Sequence, residues 1–111
     1  MIYEVMISDP ASEDLNGIFE YIAFTLQSAQ NAVGQIERLE KQIGSLDQMP
    51  DRYRRYEREP WFSRGVRILP VDNFCVLYIP DYEQKTVTIL RVLYGGRDID
   101  RVLADFEKET N

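Results

Sequence analysis

The pattern of hydrophobic and polar positions is clearest in the C-terminal half of the chain, where three runs are rich in β-branched and aromatic residues. The runs are residues 66–71, 74–79 and 86–94. Short polar segments, Asp72-Asn73 and residues 81–85, separate them, so the pattern predicts a three-stranded antiparallel meander. The middle run is apolar at both alternating sets of positions, which indicates a central strand with a partner strand on each side.

Near the start of the chain, residues 2–8 alternate between two faces and predict a fourth strand beside the meander. Asp9 as N-cap and Pro10 at the first helical position are typical of a helix start. Two amphipathic helices follow, over residues 10–27 and 29–47, and they predict a helical hairpin packed on one face of the sheet. The apolar stripes consist of Ala11, Leu15, Ile18, Phe19, Ile22, Ala23 and Leu26, and of Ala29, Ala32, Val33, Ile36, Leu39, Ile43 and Leu46.

A short C-terminal helix is predicted after the flexible pair Gly95-Gly96, with Asp98 as its cap. Its apolar side consists of Ile99, Val102, Leu103 and Phe106. The element order is therefore β-α-α-β-β-β-α, an α+β fold with a twisted, four-stranded, mainly antiparallel sheet and an N-terminal helical hairpin on one face. A chain of 111 residues suits one domain, predicted over residues 1–111.

Composition narrows the chemistry, because histidine is absent and cysteine occurs once, at Cys75. A single thiol in one chain forms neither a disulfide nor a thiolate metal site, and the commonest metal ligand and general base is missing. We therefore expect no metal and no cofactor. No apolar run reaches the ~18 residues of a membrane span, and the N-terminus lacks the pattern of a signal peptide. We expect a cytoplasmic protein without membrane contact.

Charge is distributed unevenly. The net charge of −6 argues against a generic nucleic-acid binder, yet residues 51–67 contain six arginines and only three acids. This segment either presents a positive patch to an anionic partner or forms ion pairs within the protein. Four aromatic residues interleave with the arginines and either stack nucleic-acid bases or anchor the segment on the core. They are Tyr53, Tyr56, Trp61 and Phe62.

Three segments resemble a known family. ISDPASEDLNGIFEYI, GVRILPVDNFCVLYI and VTILRVLYGGRDI are similar to the RelE/ParE superfamily, the toxins of type II toxin–antitoxin modules, also called plasmid stabilisation proteins. The similarity covers nearly the whole chain, and it is nearer to the ParE-like branch. It implies a growth-inhibiting toxin that forms a heterocomplex with a cognate antitoxin, which wraps an extended or helical segment around it. Whether the free protein is a homodimer stays open.

The RelE branch implies a ribosome-dependent mRNA endoribonuclease. For that chemistry the candidate catalytic residues are Arg67, Tyr94 and Arg97, with the arginines stabilising phosphate charge and Tyr94 as the acid–base group. Cys75 stands where the branch has a catalytic arginine, and the reference pKa of tyrosine, ~10, suits a base poorly at neutral pH. Whether the protein is an enzyme therefore stays open, and the sequence favours no enzymatic step.

The ParE branch implies a toxin that poisons DNA gyrase without a chemical step of its own. GVRILPV, NFCVLYI and LRVLYGGRDI carry this similarity, while Tyr94 stands where relatives commonly have histidine. A non-toxic protein-interaction module is the third alternative. Transcript cleavage and gyrase supercoiling, measured separately after induction in cells, would distinguish the three.

Two sets of residues are candidates for contacts with partners. Arginines expected to contact the target or another partner are Arg58, Arg64, Arg67, Arg91 and Arg97. For Arg91, which strand alternation places on one face with Ile89 and Leu93, the alternative is an ion pair with Glu13 or Asp14. An exposed apolar patch is expected to form the antitoxin groove. Its candidate residues are Tyr3, Phe62, Leu103 and Phe106.

Overall fold

The structure, a computed structural model, describes residues 2–95 and 98–110, with the side chains of 106–110 outside the description. Its strands are β1 (Glu4–Ile7), β2 (Arg67–Val71), β3 (Phe74–Asp81) and β4 (Thr86–Tyr94). They form one sheet in the order β1-β4-β3-β2, in which β1 is parallel to β4 and the other pairs are antiparallel. The predicted meander and the position of the N-terminal strand beside it are confirmed.

Strand β3 is the most buried strand, as its doubly apolar pattern predicted. Leu77 and Tyr78 are fully buried and Cys75 is half-buried. Leu77 pairs with Arg91 and Tyr78 pairs with Ile89, so Leu90 is an extra residue in β4 and forms a β-bulge. The bulge shifts the alternation of side chains along the rest of β4.

Two long helices form the predicted hairpin, α1 (Asp9–Glu20) and α2 (Ala29–Gly44). A π-helical turn, Tyr21–Thr25, extends α1, and a 3-10 turn, Ser45–Asp47, extends α2. The predicted N-cap Asp9 is wrong by one residue. Ser8 caps α1 instead, because its Oγ accepts a hydrogen bond from the Ala11 N–H at 3.2 Å while donating to the Leu90 carbonyl at 3.0 Å.

Both faces of the sheet are covered. The hairpin packs on one face, and α3 (Trp61–Arg64) and α4 (Ile99–Thr110) pack on the other. The first core, under the hairpin, consists of Ala11, Leu39, Ile43, Leu46, Leu69, Val71, Phe74, Val76, Tyr78, Val87, Ile89 and Val92. The second core, under α3 and α4, consists of Trp61, Val66, Ile68, Leu77, Leu90, Ile99 and Leu103.

The hairpin is longer than the sheet and projects beyond one end of it. Asp14 contacts Val92 near the end of β4, and Arg38 contacts Asp72 in the β2–β3 turn, so both contacts lie at that end of the sheet. Leu15, Ile18 and Ile36 of the hairpin still pack on the first core, whereas none of residues 19–35, all of which the structure describes, belongs to that core. Leu26 and Val33, which were predicted to be buried, are therefore exposed.

Tyr78 provides a test of this packing. Its hydroxyl donates a hydrogen bond of 2.6 Å to the Pro50 carbonyl, and burial raises the pKa of Tyr78 from 10.0 to about 12. We expect Tyr78→Phe to lower the free energy of unfolding by about 1–2 kcal/mol at pH 7, because the carbonyl loses its donor. Urea unfolding of both proteins measures this difference.

The same pair of proteins tests the pKa of Tyr78. Unfolded tyrosine loses its proton near pH 10, whereas folded Tyr78 keeps it to about pH 12, so the wild type loses stability as the pH rises from 10 to 12. Phenylalanine cannot titrate. The advantage of the wild type over Tyr78→Phe should therefore shrink over this range, and a constant difference between pH 8 and 11.5 would contradict the assignment.

Candidate functional site

The arginine-rich segment is held by contacts within the protein. Arg52 donates to the Gln48 carbonyl at 2.6 Å, Arg58 pairs with Asp100 at 2.9 Å, and Arg67 donates to the Tyr53 carbonyl at 2.6 Å. The guanidinium groups of two more arginines lie 5.0 Å from aromatic ring centroids. These pairs are Arg55 over Phe62 and Arg64 over Trp61. The segment thus agrees with the interpretation of internal pairing better than with an open cationic patch.

Three of the four aromatic residues in this segment anchor it. Tyr53 packs on the first core, Trp61 belongs to the second, and the Tyr56 hydroxyl donates to Asp100 at 2.8 Å. Burial, followed by the hydrogen bond to Asp100, raises the pKa of Tyr56. Phe62 is partly exposed beneath Arg55. A row of exposed stacking rings is therefore not formed.

The same segment covers the outer edge of β2. The Tyr56 N–H donates to the Val66 carbonyl at 2.9 Å, and the Ile68 N–H donates to the Arg54 carbonyl at 3.0 Å. Backbone pairing of this kind satisfies edge groups that would otherwise be open to another chain. The arginine-rich segment thus protects one edge of the sheet.

The structure separates two of the three candidate catalytic residues, Arg67 and Tyr94. Arg67 pairs with Tyr78 and Tyr94 pairs with Phe74, so they lie about 13 Å apart along β3 at ~3.3 Å per residue, on strands to either side of it. Tyr94 is 60% exposed, with its ring edge-to-face on Phe74 at 5.5 Å. Arg97 lies outside the described residues. A general acid needs ~2.6–3.2 Å to the atom it serves, and the backbone separation of Arg67 from Tyr94 does not favour one shared phosphate.

Of the two alternatives for Arg91, a partner contact and an ion pair, the structure shows the ion pair, with Asp14 and not with Glu13. Its Nε and terminal amino group donate to the two Asp14 carboxylate oxygens at 2.7 and 2.8 Å, and the Val92 N–H donates to the same carboxylate at 2.9 Å. The side chains of Arg91 and Asp14 are 23% and 16% exposed. β1 pairs with β4 only as far as Ile89. Beyond that point the Asp14 carboxylate accepts a hydrogen bond from a β4 N–H that a neighbouring strand would otherwise accept.

The four residues predicted to form an antitoxin groove do not lie together. Tyr3 packs against the first core and also contacts Tyr82 and Lys85, whereas Leu103 belongs to the second core on the opposite face. Leu103 is 2% exposed, so the expectation that it belongs to an exposed patch is wrong. Phe62 is partly exposed, and the side chain of Phe106 lies outside the described residues.

A different apolar surface follows β1, at the other edge of the sheet. The N–H groups of Glu4 and Ser8 donate to β4 and the residue before it, so by alternation the backbone groups of Val5 and Ile7 point away from the sheet. Ile2, Met6 and Ile7 are exposed along this edge. The sequence predicted this strand beside the meander, and the structure places it at the sheet edge next to β4.

Other kinds of site find little support in the described part of the chain. No three acidic, cysteine or histidine side chains there come together as a metal site would require. Within the same part, no helix is both long and apolar enough to cross a membrane. One open depression is lined by α2 and the β2–β3 turn, and there Arg38 pairs with Asp72 at 2.9 Å.

Comparison with protein families gives a match over most of the chain. The model of the ParE toxin of the type II toxin–antitoxin system parDE matches residues 5–99. No curated protein sequence matches at a significant level.

Solved structures show the same fold at low sequence identity. A chain of the chromosomal ParDE system from P. aeruginosa is 21% identical, with a TM-score of 0.69, covering 85% of this chain and 97% of that one. The RelBE2 toxin–antitoxin complex from Mycobacterium tuberculosis contains a chain that is 24% identical, with a TM-score of 0.59 and coverage of 85% and 99%. A mutant of E. coli toxin RelE in the free state is 14% identical, with a TM-score of 0.63 and full coverage of both chains. The predicted α+β fold class is confirmed.

Proposed function

The chain belongs to the ParE toxin family of type II toxin–antitoxin systems, and we propose that it inhibits growth by binding DNA gyrase, without cleaving RNA. The observation that carries this proposal is the separation of Arg67 from Tyr94 on opposite sides of β3. RNA cleavage requires an acid–base group and charge-stabilising cations at one phosphate. Arg91, the arginine on β4, is engaged by Asp14, and the chain contains no histidine.

Electrostatics supports the same preference. A toxin that acts on the ribosome must bind a surface made largely of RNA, and such binding gains free energy when cationic side chains release counterions. This chain has a net charge of −6, and its arginine-rich segment donates to groups of its own fold. A protein target with mixed surface charge fits these features better. Binding to gyrase would place the protein in the cytoplasm.

An antitoxin is the second partner that we propose, and its docking surface includes the outer edge of β1. There the backbone of Val5 and Ile7 faces away from the sheet, and Ile2 and Met6 are exposed. An extended segment can add a strand to such an edge through backbone hydrogen bonds, with alternate side chains giving specificity. Solved relatives include toxin–antitoxin complexes, which is consistent with this partner.

Purified protein, freed of antitoxin, tests the proposed target. We expect it to inhibit supercoiling by gyrase and to leave transcripts intact on translating ribosomes. Because Tyr94 has no chemical role in this proposal, Tyr94→Phe should keep growth inhibition within a few-fold of the wild type. Transcript cleavage that disappears in Tyr94→Phe would instead place the protein among the ribonucleases. Normal growth on strong induction would favour a non-toxic interaction module.

A further inference from the structure

The projecting end of the helical hairpin, here called the hairpin tip (residues 20–33), exposes apolar side chains that neither core uses. Phe24 is 71% exposed and Leu26 is 57% exposed, and Tyr21 and Val33 are each about half exposed. Four large apolar residues exposed in so short a segment are unusual, since exposed apolar residues are normally scattered singly. A contiguous apolar patch on a soluble protein commonly marks a contact site.

The backbone of the hairpin tip is also irregular. Tyr21–Thr25 forms a π-helical turn, and Gln27 has a positive φ of 55°. π-helical turns are rare and occur frequently at functional sites, and a left-handed backbone is uncommon for residues other than glycine. Phe24 and Leu26 therefore lie in or next to this irregular turn, where the two helices connect.

The charge around the hairpin tip has a single sign. Residues 1–37 contain six acids and neither lysine nor arginine. Asp14 is engaged by Arg91, but Glu20 and Glu37 are exposed on the two helices of the hairpin. The first cation of α2, Arg38, pairs with Asp72. The charged side chains in and next to the hairpin tip are therefore Glu20 and Glu37, and both are negative.

We propose that the hairpin tip is a docking site for a basic amphipathic segment of a partner protein. Its apolar side chains would pack on Phe24 and Leu26, and its lysines or arginines would face Glu20, which combines hydrophobic burial with charge complementarity. The inference goes beyond the proposed function, because it depends neither on gyrase as the target nor on the edge of β1 as the antitoxin site.

Other occupants fit these features less well. Nucleic acids and anionic membranes carry phosphate charges that the acidic surroundings would repel. In a symmetric contact between two hairpin tips both surfaces would carry Glu20, so the contact would lack charge complementarity. The four exposed side chains also offer on the order of 400 Å² of apolar surface, about half of the ~800 Å² that each partner buries in a standard stable interface.

Two synthetic amphipathic peptides provide the probe. They share a leucine face and differ in the polar face, which is lysine in one and glutamate in the other. We expect the full-length protein to bind the lysine peptide at least tenfold more tightly than the glutamate peptide, measured by fluorescence anisotropy. The double variant Phe24→Ser/Leu26→Ser should weaken binding of the lysine peptide at least tenfold, and Glu20→Lys should weaken it several-fold and reduce its salt dependence.

Matched controls separate the hairpin tip from general attraction to an acidic protein. Met49→Ser removes an equally exposed apolar side chain outside the hairpin tip, and Glu83→Lys makes the same charge change in the β3–β4 turn. Neither should alter binding by more than about twofold. Because Phe24 and Leu26 are exposed, thermal unfolding of the double variant should match the wild type, and Phe24→Ser alone serves as a milder second variant.

Three results would overturn the proposal. One is equal binding of the two peptides, and another is an effect of Met49→Ser as large as that of the double variant. The third is a concentration-dependent dimer of the wild type that disappears in the double variant, which would identify a second copy as the occupant. Sedimentation measurements over a range of protein concentrations distinguish this last case.

Discussion

Replacing Asp14 with alanine is expected to lower the free energy of unfolding by about 2–3 kcal/mol, one of the two largest effects that we predict. The carboxylate accepts two hydrogen bonds from Arg91 and a third from the Val92 N–H, with distances of 2.7 to 2.9 Å. Both charged side chains are less than one quarter exposed, so water compensates only in part for the loss. Urea unfolding near pH 7 measures the change.

Glu13 is the matched control, because it lies next to Asp14 on α1 and is exposed. Glu13→Ala should change the free energy of unfolding by no more than about 0.5 kcal/mol. Asp14→Asn should fall between the two, because its amide oxygen can still accept from the Val92 N–H. A double-mutant cycle with Arg91→Ala isolates the coupling of the pair. Equal effects of Asp14→Ala and Glu13→Ala would contradict the structural role given to Asp14.

Features set by local periodicity could be predicted from the sequence. The doubly apolar pattern of residues 74–79 identified the central strand, and the helical spacing of apolar residues identified the hairpin. The charge of Arg91 within an otherwise apolar strand indicated an ion pair with the first helix, which Asp14 provides. For the strand and the hairpin the signal lies in consecutive residues, and burial of one face follows from it.

Features set by distant parts of the chain could not be predicted in this way. Leu90 has no local mark of a bulge, yet the bulge moves Val92 to the first core and leaves Leu90 in the second. The stripe of α1 continues to Leu26 although the sheet beneath ends sooner. The partners of Arg58 and Arg67 are likewise distant in sequence or are backbone carbonyls. Each depends on the relative lengths and positions of elements.

The candidate functional residues also depend on distant parts of the chain, which local periodicity does not predict. Arg67 and Tyr94 were grouped because RNA cleavage needs a charge-stabilising cation and an acid–base group, but the register of β3 with its neighbours separates them. Leu103 was assigned to an exposed patch because an apolar stripe on a helix does not show how much of the sheet the other elements leave uncovered. The structure shows that α3 and α4 share the second face of the sheet, and Leu103 closes that core.

Leu103→Ala is therefore expected to lower the free energy of unfolding by about 2–4 kcal/mol in the absence of any partner. Leu103 is 2% exposed and packs in the second core with Leu77 and Leu90 of the sheet. Truncation removes buried methyl groups and leaves a cavity between α4 and the sheet, which the surrounding side chains fill only in part. Urea unfolding of the isolated protein measures the loss.

Arg101 is the control within the same helix, because it is exposed and two residues away. Arg101→Ala should alter the free energy of unfolding by no more than about 0.5 kcal/mol, since alanine keeps the helical propensity and no core contact is removed. If Leu103→Ala is as stable as Arg101→Ala, then α4 does not close the second core in solution. Leu103 would then be available to a partner, as its position in an apolar stripe first suggested.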